Sequence, residues 1–174
     1  MKTWRKFAIC LLVYVLLFSI AGCGIFDKSL KSIDADEVED VLTDMDYLVI
    51  VSDEDLERRE TETAVAMDDD TEHFVFFSEY EDEEDAVYCF NNIMDDFYEV
   101  RDDDNFDGKY TKTSGKNYQK CVIDGEIEGT YGDFPAAPYQ VYLQVDNTLI
   151  TLLSTEGSKK DVREMEKILT NLGY

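Results

Sequence analysis

The chain is short of positive charge and of the residues from which most catalytic centres are built. Its 174 residues include one histidine, His73, two prolines, one tryptophan and four cysteines. Lysines and arginines number 16 against 40 aspartates and glutamates. That shortage of cations argues against nucleic-acid binding, because phosphate contacts need Lys and Arg. One imidazole and no G-x-S-x-G sequence leave no basis for a Ser/His/Asp arrangement. The Cys and His inventory is too small for a conventional zinc centre. Read from sequence, His73 is a surface or edge residue at the start of a strand. So many carboxylates make any one pairing uninformative about acid–base chemistry. The expectation is a protein that is not an enzyme.

What the chain does have is acid, aromatics and an apolar start. Eleven Tyr and ten Phe argue against a disordered acidic tail. Residues 27–110 carry 31 acidic and 6 basic side chains, whereas residues 111–174 carry 9 and 7. A domain so polarised suits a basic protein or a divalent cation as partner; the charge also serves solubility and stand-off from an anionic envelope.

Lys2, Arg5 and Lys6 precede an uncharged run, Phe7 to Ile20, and small residues follow before Cys23. A basic start and a short apolar core form the secretory pattern, too short for a comfortable membrane span. Ile20-Ala21-Gly22-Cys23 resembles the lipobox of bacterial lipoproteins: an aliphatic residue, two small ones and a Cys. The resemblance covers residues 1–23. It implies a signal peptide at 1–22 and diacylglyceryl (palmitate-type) modification of Cys23 as the mature N-terminus. It also implies attachment to the extracytoplasmic face of the cell membrane. Two acyl chains suffice for stable anchoring, at about 0.8 kcal/mol per buried methylene. Removing residues 1–22 takes three basic residues and no acidic one, leaving 13 against 40, a net charge of −27. Residues 23–32 are then a lipidated Cys and short tether, and residues 33–174 a single acidic domain.

Within that domain the patterns predict α+β architecture. Asp34 with Glu37 is a capping box, and Val38, Val41, Leu42 and Met45 form one helical stripe. Leu48 to Val51 reads as a short strand. Strands at 63–67 and 73–80 enclose an Asp68-Asp69-Asp70-Thr71 turn. A helix capped by Asp82 buries Ala86, Cys89, Phe90, Ile93, Met94 and Phe97. Strands within 110–123 flank a turn at 114–117, and strands at 140–145 and 149–154 flank Asp146-Asn147. Ser158 caps the last helix. Residues 124–138 form a proline-stiffened loop holding Tyr131 and Phe134, either a binding surface or a cover for a sheet edge. Cys89 and Cys121 fall at core-facing positions and read as free buried thiols, with a disulfide as the alternative.

Residues 36–47 and 163–174 align without gaps at five identical positions: Glu37/Glu164, Glu39/Glu166, Leu42/Leu169, Thr43/Thr170 and Tyr47/Tyr174. Hairpin-then-helix also recurs at 63–98 and 140–172. The expected fold is an antiparallel sheet of hairpins with about three amphipathic helices, mainly on one face, in a pseudo-repeated ββα layout. That layout resembles small α+β lipoproteins of Gram-positive bacteria.

One local motif suggests a metal. Asp103, Asn105 and Asp107, followed by Gly108, match the first half of a calcium loop after a helix. Position 12 is Ser114, where a bidentate Glu belongs. The functional expectation is a membrane-anchored envelope lipoprotein acting as an interaction or ligand-binding module, through the sheet face or the 131–139 loop. Alternatives are a calcium-stabilised surface module and, behind it, an envelope hydrolase.

Overall fold

In a computed structural model that describes residues 29–53, 59–128 and 137–174, the chain builds one antiparallel sheet. The strands are β1 (Leu48–Ser52), β2 (Glu60–Met67), β3 (His73–Tyr80), β4 (Phe106–Ser114), β5 (Tyr118–Ile127), β6 (Tyr139–Val145) and β7 (Thr148–Ser154). The helices are α1 (Ala35–Thr43), α2 (Glu83–Asp102) and α3 (Lys159–Asn171). Strand order is β1-β2-β3-β7-β6-β5-β4, so β1 and β4 are the edges. This is the expected α+β class with three helices.

Local chemistry starts each helix as the sequence suggests. The Asp34 carboxylate accepts the Glu37 amide at 2.8 Å, Asp82 accepts Asp85 at 3.1 Å, and Ser158 forms a full capping box with Asp161. Each cap satisfies an orphan amide and is worth about 1 kcal/mol.

The helices divide between the two faces. From α1 and α3, Val38, Leu42, Met165 and Ile168 pack on Ala64, Ala66, Phe77, Val141, Leu143, Ile150 and Leu152. From α2, Ala86, Phe90, Met94 and Phe97 pack on Cys121, Ile123, Tyr142 and Leu149, which point the other way. Every residue of β6 and β7 is buried because these strands carry helices on both sides. Cys89 and Cys121 are free, buried thiols of the α2 layer.

The helical echo is structural. Asp46 and Gly173, aligned in the echo, both adopt left-handed backbone, with φ of 65° and 91°. The following amides, of Tyr47 and Tyr174, close back on the carbonyls of Leu42 and Leu169 at 3.0 and 2.8 Å, a shared helix stop. Burial, then Asp68 and Glu164, raises the Tyr47 hydroxyl above its ordinary pKa. Burial, then Glu37, raises that of Tyr174, with Asp146 adding to the rise. Each tyrosine thus senses the aligned Glu of the other helix, and each senses an Asp in the turn of a central hairpin, β2–β3 or β6–β7. This is the signature of a local two-fold axis normal to the sheet, relating α1 to α3, β3 to β7, β2 to β6 and β1 to β5. The ββα order does recur in the chain, but α2 lies on the face opposite α3. The spatial repeat is therefore one helix and three strands, with α3 joined after its strands and α1 before them.

β2, β4 and β5 run longer than their sequence patterns. β4 begins at Phe106, because Gly108 and Gly125 face each other across β4–β5. A Cβ on Gly108 would sit 2.5 Å from the Asp124 carbonyl oxygen and the Gly125 Cα, and the Phe106 ring edge lies about as close over both glycines. Gly125→Ala should therefore lower stability by about 1–3 kcal/mol, read as a reduced urea midpoint with an unchanged slope.

Candidate functional site

The sequence placed a calcium half-loop at Asp103, Asn105 and Asp107. Asp103 is the C-cap of α2, and its amide donates to Glu99 and Arg101. Asp104 takes the left-handed backbone, φ 61°, that turns the chain out of the helix. The Asn105 amide donates to Val100 at 3.1 Å and its carbonyl accepts Glu128 at 2.8 Å. Asp107 lies inside β4 opposite Glu126. Gly108, which a calcium loop would use for its sharp turn, serves the close approach of two strands instead. Cys23 and the loop residues Tyr131 and Phe134 lie outside the described residues.

Asp103 also rims a shallow, acidic depression of about 520 Å³ with Asp95, Tyr98, Glu99 and Asp102. Beside it Arg101 donates to the Tyr110 hydroxyl at 2.8 Å and stacks over Tyr98 at 4.9 Å. Phe97 meets Phe106 and Tyr110 edge-on at 5.1 and 5.4 Å. These contacts fasten β4 to α2.

His73 is not the edge residue that its lone occurrence suggested. It begins the third strand of seven, opposite Ser154, with its side chain only 5% exposed. Nδ1 lies 2.8 Å from Asp68 Oδ2, and Nε2 lies 3.4 Å from Asp161 Oδ1. Asp68 reaches it because the β2–β3 turn folds back: its Oδ1 accepts the amides of Glu72 at 2.8 Å and His73 at 3.0 Å. Asp161 reaches it because the capping box fixes the first turn of α3, with Asp161 Oδ2 accepting the Ser158 amide at 2.7 Å. Burial alone would raise the Asp161 pKa, but the Ser158 amide and hydroxyl and the His73 ring together hold it below the ordinary carboxylate value.

This constellation could be taken for a reactive dyad or a metal centre. Asp68, Glu72 and His73 each offer a ligand atom within 4.8 Å of the others. Both oxygens of Asp68 are already engaged, however, by two amides and by the imidazole. The second imidazole nitrogen faces a buried carboxylate, which leaves it no open side for a substrate. The cluster ties the β2–β3 turn to the start of α3. A signal for it did exist in the sequence: an Asp five residues before the histidine across a tight turn, and an N3 acid in a capping box. What brings them together is the β3–β7 pairing, which no local pattern reports. The thiols are no better placed for chemistry. Burial, only partly opposed by Lys112, pushes Cys121 up to about 11, so it stays protonated and poorly nucleophilic.

The exposed feature of the sheet is at its β1 edge. With α2 sitting over the β5–β7 half, the same face of β1 and β2 shows Leu48 (57% exposed), Ile50 (62%) and Val65 (41%). Met67 and Phe74 continue this face, half-buried.

No family model and no curated protein matches the chain. Among solved structures it is similar to a GTP binding regulator from Thermotoga maritima, with a TM-score of 0.44 and 14% identity over 80% of this chain and 84% of that one. A likeness that distant does not bear on function.

Because the folded-state Asp161 pKa is depressed, its contribution is present above the unfolded value of about 3.9 and is lost as pH falls through the folded value. Asp161→Asn should lower stability at pH 7 by about 1.5–3 kcal/mol, the worth of a hydrogen bond to a charged group. Urea unfolding from pH 7 to pH 2 should show the variant and parent curves converging at the acid end.

Proposed function

We propose that the chain is a lipid-anchored envelope protein whose domain acts as a non-catalytic interaction module. The lipobox-like Ile20-Ala21-Gly22-Cys23 supports the address, and the exposed apolar strip at the β1 edge is the observation that carries the interaction reading. Apolar residues left open beside a helix-covered sheet half mark a surface that another molecule can bury.

The attachment point bears on what that surface meets. Asn117, in the β4–β5 turn, receives the Leu30 amide on Oδ1 at 3.0 Å. Its Nδ2 donates to the Leu30 carbonyl at 2.8 Å and to Asp146 at 2.9 Å. The tether is thereby pinned to one end of the sheet, and from Cys23 to Leu30 the chain reaches at most about 25 Å. Strand register places Glu62, Glu79, Thr148, Val145 and Tyr118 in a row across that same end, with Asp146 in the adjoining turn. The anchored end is thus an acidic end, and an anionic lipid surface repels it. The domain stands on its tether, and among the described residues β1 pairs on one side only, which suits a protein partner.

Cells expressing the chain and fed an alkyne-tagged palmitate should label it, and membrane fractions should retain it. Cys23→Ala should abolish the label and release the protein from membranes. An unlabelled parent chain, or a variant that still fractionates with membrane, would overturn the anchored reading.

A further inference from the structure

The two edges of the sheet are built differently. β4 is an edge with protection: Lys109 pairs with Asp124 on one face, and on the other Phe106 and Tyr110 pack back on α2 with Lys112 over the Phe90 ring. Among the described residues β1 carries no comparable guard. Its five residues, Leu-Val-Ile-Val-Ser, include no charge, no proline and no bulge against β2. Among the described residues it pairs on one side only, so alternate amides and carbonyls point outward.

The local two-fold axis says what such an edge accepts. Under it, β1 corresponds to β5, and the outer side of β5 is occupied by β4. At one of two equivalent positions a strand is therefore already docked, carrying Phe106, Tyr110 and Lys112 on the face away from α1 and α3 and Lys109 on the other. The position beside β1 has the same apolar face waiting, in Leu48, Ile50 and Val65.

Charge selects among occupants. Asp44 and Asp46 stand before β1 and Asp53 after it. Glu62 is crowded by acids at the Asp53 end: burial first, then Asp36, Glu79, Asp53 and Asp34, raises its pKa. A second copy of this chain pairing β1 to β1 would bring these acids together, and like charges across an interface cost several kcal/mol.

We infer that β1 is a strand-addition site for an extended segment of another protein, one with alternating apolar residues and Lys or Arg at both ends. Main-chain hydrogen bonds supply affinity, the alternate side chains bury Leu48 and Ile50, and the flanking cations meet Asp44, Asp46 and Asp53. The inference rests on the interaction-module reading and deepens it by naming the partner's chemistry.

The test uses the full chain in detergent and a fluorescent peptide of about ten residues, the length of a long strand, alternating Val and Thr with paired lysines at each end. Fluorescence anisotropy should show saturable binding that weakens as salt rises. A peptide with glutamates in place of the lysines, and one with proline at alternate positions, should bind at least about tenfold more weakly. Ile50→Lys should weaken the lysine peptide to a similar degree. Asp53→Lys, at the end of β1 but outside its apolar strip, provides a second variant that should bind the lysine peptide more weakly and with less salt sensitivity while its melting temperature stays at the parent value. Equal binding of the lysine and glutamate peptides, or binding untouched by Ile50→Lys, would overturn the inference. So would self-association of the parent chain relieved by Ile50→Lys, because the edge would then serve a second copy. If the peptide fails while Cys23 labelling holds, the strand-addition site falls and the anchored reading stands.

Discussion

Everything in the molecule is arranged around a hairpin with no solvent side. Every position of β6 and β7 is buried: Val141, Leu143, Ile150 and Leu152 lie under α1 and α3, while Tyr142 and Leu149 face α2. Burying both faces of a strand pair removes apolar area from water twice over, at roughly 25 cal/mol per Å². It also traps polar groups that must find partners inside. They do: Gln140 Nε2 donates to Ala137, the Tyr142 hydroxyl donates to Gln140, Gln144 Nε2 donates to Asp146, and Thr148 donates to Val145. The remaining strands extend this hairpin outward in both directions and become progressively more exposed. The exposed apolar strip, Leu48, Ile50 and Val65, therefore lies at the β1 edge, away from full cover.

His73 shows how the same constraint creates a buried polar lock. Pairing with β7 places its imidazole beside the last residue of that strand, where the chain turns into α3. A histidine there is enclosed whether or not it has chemistry to do, and the two carboxylates that reach it are fixed by a turn and a helix cap. Enclosure separates this arrangement from a catalytic dyad, in which one nitrogen must stay open to a reacting group: Nδ1 is held by Asp68, and Nε2 makes no hydrogen bond but is shut in against the buried Asp161 carboxylate. Enclosure likewise keeps Cys89 and Cys121 inert.

The local two-fold axis accounts for both the order of the fold and its asymmetry. Two units of one helix and three strands share a face and a central seam between β3 and β7. What departs from symmetry is β4 with α2, which seals one edge and half of the second face. The opposite edge keeps its apolar strip, Leu48, Ile50 and Val65, exposed.

The caps, the hairpin turns, the α2 stripe and the helical echo were legible in the sequence because each depends on neighbours within about one helical turn or one β-turn. The calcium-like spacing at Asp103, Asn105 and Asp107 was legible in the same way. It could not disclose that Gly108 faces Gly125, since that contact depends on where β5 lies. The isolation of His73 in the sequence suggested an edge, and its place in the third strand reversed that reading. The chain by itself determined composition, charge asymmetry, the lipobox-like start and the identity of most elements, all local or additive properties. Only the tertiary structure decided which helix covers which face, which carboxylates meet His73 and which edge shows an exposed apolar strip. Those depend on pairings between residues tens of positions apart, where the balance of burial over the whole sheet outweighs any local preference.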